Sequence, residues 1–146
     1  MTHRTVFRAT LAAAAAALAL PALAPHAHAR ATTPPPAVHV VRMVMAGEQA
    51  RFDPATVTAR PGDRVRFVVA SGAPHNVSFD AARLPADARR ALSAGMPDQM
   101  QPLAGKLLLN EGESYTITLN GVRAGRYEFF CLPHVGMGMK GTLVVR

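Results

Sequence analysis

The chain has 146 residues, 49% of them hydrophobic, and a net charge of +7 at pH 7 from 16 Lys and Arg against 9 Asp and Glu. That length holds one domain with one core once a leader is set aside. Apart from Arg89-Arg90 the basic residues are scattered singly, with no aromatic-rich basic stripe, which argues against nucleic acid as a partner. The mild positive charge suits transient encounters with an acidic protein or an anionic membrane surface, or it serves solubility alone.

Residues 1–29 read as a secretory signal peptide. His3, Arg4 and Arg8 give a basic start, Leu11 to Leu20 is almost pure Ala and Leu, and Ala27-His28-Ala29 offers small residues for cleavage. Pro21 and Pro25 interrupt the stretch before it reaches the roughly 20 apolar residues of a membrane span. No Arg-Arg pair precedes the apolar run, which favours the general secretory route, and no cysteine at the cleavage region offers a lipid anchor. The expected product is soluble, periplasmic or otherwise exported, without a stable membrane anchor, and begins near Arg30. Residues 30–36, with their ATTPPP run, form a stiff Pro-rich linker, and residues 37–146 form the domain.

From Val38 onward the chain reads as short strands between turn signals. Val38 to Met45 is a Val-rich apolar run, and Val57 to Ala59 is followed by the turn Pro61-Gly62-Asp63. Val65, Phe67 and Val69 alternate with Arg64, Arg66 and Val68, the pattern of a half-buried strand. Leu84 to Ala94 breaks the series. Pro85 at the first helical position, Asp87 in the first turn and Gly95 past the end mark a short helix with Ala88, Ala91 and Leu92 on one face. Tyr115, Ile117 and Leu119 alternate with Thr116 and Thr118, Asn120-Gly121 turns the chain, and Arg126 to Cys131 and Thr142 to Val145 are the last strands. This spacing points to an all-β antiparallel sandwich with one short helix in a crossover connection.

The chemistry gathers in CLPHVGMGMKG and APHN. Cys131 is the only cysteine of a chain read as exported, where an unpaired thiol is a liability without a purpose. Tyr127, Phe129 and Cys131 share strand parity, so a sulfur at 131 faces the core if the aromatics do, and Phe130 points away. Pro133 stops regular pairing, and Gly136 and Gly138 let the backbone curl, so that His134 and a methionine can return towards one centre. His75 follows Pro74 in a turn that opens the strand Asn76 to Phe79. A thiolate, two imidazoles and a thioether are the ligands of a mononuclear electron-transfer copper site, acceptable to both oxidation states. Zinc fits poorly, for want of a second thiolate or carboxylate. On the residues alone, Met137 competes with Met139. His39 has no partner nearby in the sequence, His26 and His28 fall in the leader, and Met96 and Met100 read as packing or surface rather than a second Cu(I) site.

Cys131-Leu-Pro-His134, with Met139 five residues on and Gly141 after it, resembles the copper signature of the plastocyanin group of cupredoxins. RFDPATVTARPGDRVRFVVASGAPHNVSFD resembles the same group in its Phe-x-Pro, Pro-Gly-Asp and Pro-His-Asn elements. The resemblance spans residues 38–146 and implies a Greek-key β-sandwich with one type 1 (blue) copper ion. It implies His75, Cys131 and His134 as strong in-plane ligands, Met139 rather than Met137 as the weak axial one, and Asn76 as a tie between the ligand loops. Two departures stand out. Phe130 replaces the tyrosine often found before the cysteine, and the stretch from Asp80 to Gly105 is longer than is typical.

The expected function is a diffusible one-electron carrier, likewise a monomer, that meets a redox protein donor and acceptor transiently near His134. Leu132, Pro133, Val135 and Met137 would form the apolar docking face. The rival is a Cu(I) chaperone or storage protein drawing on the methionines. An oxidase or reductase needs an open copper position or further histidines, which the chain does not supply, so no enzyme activity is expected.

Overall fold

The structure, a computed structural model, describes Met1 and residues 34–146. The expected signal peptide and most of the linker lie outside the described residues, while Pro34–Pro36 are exposed and without regular structure. Ten strands follow: β1 Val38–Ala46, β2 Gln49–Asp53, β3 Thr56–Ala59, β4 Arg64–Ser71, β5 Ser78–Phe79, β6 Gln99–Gln101, β7 Ala104–Gly105, β8 Ser114–Thr118, β9 Gly125–Phe130 and β10 Lys140–Val145. One helix, α1, spans Ala86–Gly95 between β5 and β6. Among the described residues no helix is long and apolar enough to cross a membrane.

The strands form two sheets, ordered β2-β1-β4-β8 and β3-β10-β9-β5-β7-β6. Each sheet turns its apolar parity inward. Val41, Met43, Val65, Phe67 and Ile117 from the first meet Val57, Phe79, Tyr127, Phe129 and Leu143 from the second in one buried cluster. Phe129 is the hinge of that core. Its ring meets Phe52 and Phe67 edge-on at centroid distances of 4.8 and 5.2 Å, joining the two sheets two residues before Cys131.

The molecule is thus a β-sandwich, but its sheets are mixed rather than antiparallel. β1 runs parallel to β4, and β3 runs parallel to β10. Reading every turn as a hairpin misses this, because β3 leaves the first sheet for the second before β4 returns beside β1. β2 also escapes a pattern reading, since QARFD buries only Ala50 and Phe52. β6 and β7 are too short to show a period.

The helix lies within one or two residues of its expected place, with two differences. Pro85 caps the helix in an extended conformation instead of starting it, and Gly95 is its last residue instead of its stop. Gly95 is there for contact: a Cβ at that position would run into the Thr118 carbonyl of β8. Gly95→Ala is expected to cost about 1–3 kcal/mol through forced displacement of α1 from β8, read as a lower urea midpoint.

His39 does have a partner, brought from 24 residues away by the pairing of β1 with β4. Its Nε2 lies 2.8 Å from Asp63, whose buried carboxylate also accepts the N–H groups of Ala37 and Arg60 at 2.8 and 2.9 Å. These contacts, the His39 hydrogen bond first, hold the Asp63 carboxyl down at about 2 against an ordinary 3.8. The stabilisation is therefore whole above pH 4 and is lost as pH falls from about 4 through about 2. Asp63→Asn is expected to lower stability at neutral pH and to flatten its dependence on pH across that interval, measured by urea unfolding at a series of pH values.

Candidate metal centre

β9 sets the direction of the first group. Tyr127 and Phe129 are buried, Arg126 and Glu128 exposed, and the alternation carries Cys131 inward with no solvent exposure. Phe130, of opposite parity, is half-buried on the outside. Beyond Cys131 the chain makes tight turns over Leu132–Met137, kinked at His134, and Gly138 reverses it in the left-handed region at φ 78°. The loop closes on itself: the Cys131 N–H donates to the Met139 carbonyl at 3.1 Å, and the His134 N–H donates to the Cys131 carbonyl at 3.1 Å. Of the two competing methionines, Met139 is fully buried and Met137 is 43% exposed.

His75 arrives from the other loop. It stands before β5 rather than in it, pinned to Leu108 by two backbone hydrogen bonds of 3.0 and 2.8 Å. Its Nε2 lies 3.2 Å from the Ser71 carbonyl. A carbonyl only accepts, so that nitrogen carries the proton, and Nδ1 presents its lone pair to the interior. Ser71 is held in turn, its hydroxyl bonded to both the N–H and the carbonyl of Met45 at 3.1 and 2.8 Å.

The three groups converge. Cys131 Sγ lies 3.7 Å from His75 Nδ1 and 3.5 Å from His134 Nδ1, and the ligand atoms of all three fall within 4.8 Å of one another. Two metal bonds of about 2.0 and 2.3 Å meeting at roughly 110–130° span about 3.5–3.9 Å, so the spacing suits one ion between sulfur and each nitrogen. His75 has no exposure, whereas His134 is 8% exposed and its Nε2 has no hydrogen-bond partner among the described residues. The latter ring is the cluster's edge towards solvent.

Asn76 joins the two loops. Its Oδ1 accepts the Leu132 N–H at 2.8 Å, its Nδ2 donates to Ser78 Oγ and the Gly105 carbonyl at 3.2 Å each, and its backbone N–H points at Cys131 Sγ from 3.5 Å. Burial pushes the Cys131 thiol above its ordinary value against the pull of N–H groups from Asn76 and His134. Burial, with His75 beside it, pushes His134 below its own. Dehydration disfavours an imidazolium at His134, and it disfavours a bare thiolate at Cys131 until a cation compensates the sulfur.

The chain belongs to the plastocyanin/azurin family of copper-binding proteins. The family model matches residues 39–146. The plastocyanin of Scenedesmus fuscus is 38% identical over 96 residues, covering 65% of this chain and 86% of that one. The copper-resistant cuproprotein CopI of Rubrivivax gelatinosus is 39% identical over 115 residues, covering 75% of this chain and 68% of its own. Among solved structures, oxidised plastocyanin from the fern Dryopteris crassirhizoma superposes with a TM-score of 0.59 at 29% identity, over 73% of this chain and 99% of that one. A pseudoazurin from Sinorhizobium gives 0.53 at 32% identity, over 75% and 74%. The cupredoxin family and the His–Cys–His cluster together fit a type 1 copper ion.

Other residues singled out in the sequence stand apart from this cupredoxin site. Met96 is buried in the core and Met100 is 47% exposed, so they do not face one centre as a pair. His39 is engaged with Asp63. The supports at Ser71, Ser78, Leu108 and Gly105 carry no sequence signal of their own, since each acts through backbone groups or a single hydroxyl. Asn76→Ala would remove the acceptor of the part-buried Leu132 N–H along with the two Nδ2 bonds, at a cost of about 1–3 kcal/mol in all. It is expected to lower the urea midpoint and to speed hydrogen exchange at Leu132.

Proposed function

We propose that the chain is an exported one-electron carrier whose His75, Cys131, His134 and Met139 hold a single copper ion, Met139 axially. The observation that carries this reading is the asymmetry of the cluster: three groups are closed to solvent, and one imidazole edge, His134, reaches the surface among apolar side chains. Copper in such a site supplies a one-electron couple between its two common oxidation states. The protein supplies the rest. Ser71 orients His75, Asn76 locks the two loops and aims an N–H at the sulfur, and the Phe129 core behind Cys131 keeps water away. Groups so tightly fixed rearrange little when charge at their centre changes, which keeps transfer fast.

Leu132, Val135 and Met137, each about two-fifths exposed, surround His134 with an apolar surface suited to brief docking of a redox donor and then an acceptor. Four protein ligands leave no position for a substrate, which supports a carrier rather than an enzyme. We further assign residues 1–29 to a signal peptide, 30–36 to a linker and 37–146 to the copper domain of a periplasmic monomer. The similarity to a copper-resistant cuproprotein supports a second reading, in which the domain serves copper tolerance by binding and releasing Cu(I).

Copper(II) added to the purified protein is expected to produce an intense sulfur-to-copper charge-transfer band in the red. Cys131→Ala should abolish the band and the redox activity together. Met139→Leu should keep the colour but change the reduction potential, and Met137→Leu should leave both as they are. A colourless protein that binds only Cu(I) and releases it readily would favour the copper-tolerance reading.

A further inference from the structure

The outer face of the β2-β1-β4-β8 sheet carries four arginines against a single acid in its strands. Arg64 and Arg66 on β4, Arg42 on β1 and Arg51 on β2 are all exposed, and all have the parity that points away from the core. Register places them in order. Arg66 pairs with Val40, two residues before Arg42 on the neighbouring strand; Arg42 lies opposite Asp53, two residues beyond Arg51. With strands about 4.8 Å apart and about 6.8 Å between same-face residues, the arginines form a diagonal row at steps of roughly 7–8 Å.

None of the four joins an ion pair among the described residues, where the pairs involve His39, Arg83 and Arg123. Asp53 is the one acid in the strands of this face and, though opposite Arg42, does not pair with it. Neighbouring guanidinium groups therefore stand within about one Debye length of each other, with Asp53 the one carboxylate of these strands to offset them. The row begins at the end of the sheet where β4 starts and runs towards the end where Ser71 holds His75. It lies on the outer face of one sheet, whereas His134 sits in the loop that follows β9 of the other.

We propose that this arginine row is a docking surface for an acidic protein, separate from the apolar surface around His134. The complement is a row of carboxylates. Guanidinium groups bind them in bidentate fashion, and side chains at alternate positions of an extended acidic segment recur at about the same 6.8 Å. An anionic bilayer is a poorer fit. Successive strands twist by roughly 20–25°, so a row crossing three of them does not lie in a plane. The face also lacks the aromatic side chains that anchor proteins at lipid headgroups: the chain has no Trp, and Tyr115 and Tyr127 are buried. A four-stranded face is small, so the contact is weak, rapid and sensitive to salt. Such a surface lets the protein sit on one partner while His134 faces another.

Titration of the full purified protein with a poly-glutamate peptide, followed by amide NMR shifts at low salt, tests this. Shifts are expected in β1, β2 and β4, fading as salt is raised. The Arg42→Gln, Arg51→Gln, Arg64→Gln, Arg66→Gln variant should bind at least tenfold more weakly with its urea midpoint and copper spectrum unchanged. Arg89→Gln, Arg90→Gln on α1 should bind as before. Unchanged affinity in the fourfold variant would overturn the proposal, as would shifts centred on residues 132–137. So would tighter binding to phosphatidylglycerol vesicles than to the peptide. Because the copper spectrum is read separately, failure here is distinguishable from failure of the electron-carrier reading.

Discussion

The metal end of this molecule depends on one buried side chain that binds no metal. Asn76 lies next to His75 in one loop, and its carboxamide reaches the backbone just past Cys131 in the other. The two loops come from chain segments 55 residues apart, so nothing local holds them in register. The remaining bonds of Asn76, to Ser78 and Gly105, fix the carboxamide itself and tie the site to the strands beneath. A fully satisfied buried network of this kind specifies one geometry, because any alternative leaves a donor stranded.

The scaffold behind it works by a different force. Phe52, Phe67 and Phe129 meet edge to face across the two sheets, and strand parity then delivers the Cys131 sulfur to the same dry interior. Burial does two things at once. It raises the thiol's proton affinity, and it makes a captured cation the natural counter-charge. At the end of β1 and β4 away from the His75 loop, Asp63 performs a similar office with charge instead of packing, gathering His39, Ala37 and Arg60 around one carboxylate. Rigid contacts thus hold the sandwich near both ends of these strands.

How much of this was legible in the sequence varied with range. Among the strands with period-two burial, β2 with only Ala50 and Phe52 buried did not declare itself. The strands β4, β8 and β9 did, because apolar and polar or charged side chains alternate along them. So did the loop after Cys131, through Pro133 and the glycines. The two parallel pairings did not, since they depend on which sheet each strand joins. His39 and Asp63 illustrate the same limit, two residues that acquire a relation only when β1 lies beside β4. Met137 and Met139 could not be separated by spacing alone; burial separates them, one closed into the core and one on the surface. Gly95 read as a helix terminator, and its real constraint, close approach to Thr118, is tertiary.

The central claim is that these residues hold one copper ion in a site that scarcely changes with oxidation state. X-ray absorption at the copper edge of the loaded protein, recorded oxidised and reduced, tests it most directly. The account predicts a shell of one short sulfur and two nitrogens, with at most a distant second sulfur, alike in both states. A shell with several equivalent sulfurs, or one that gains or loses a ligand on reduction, would contradict it.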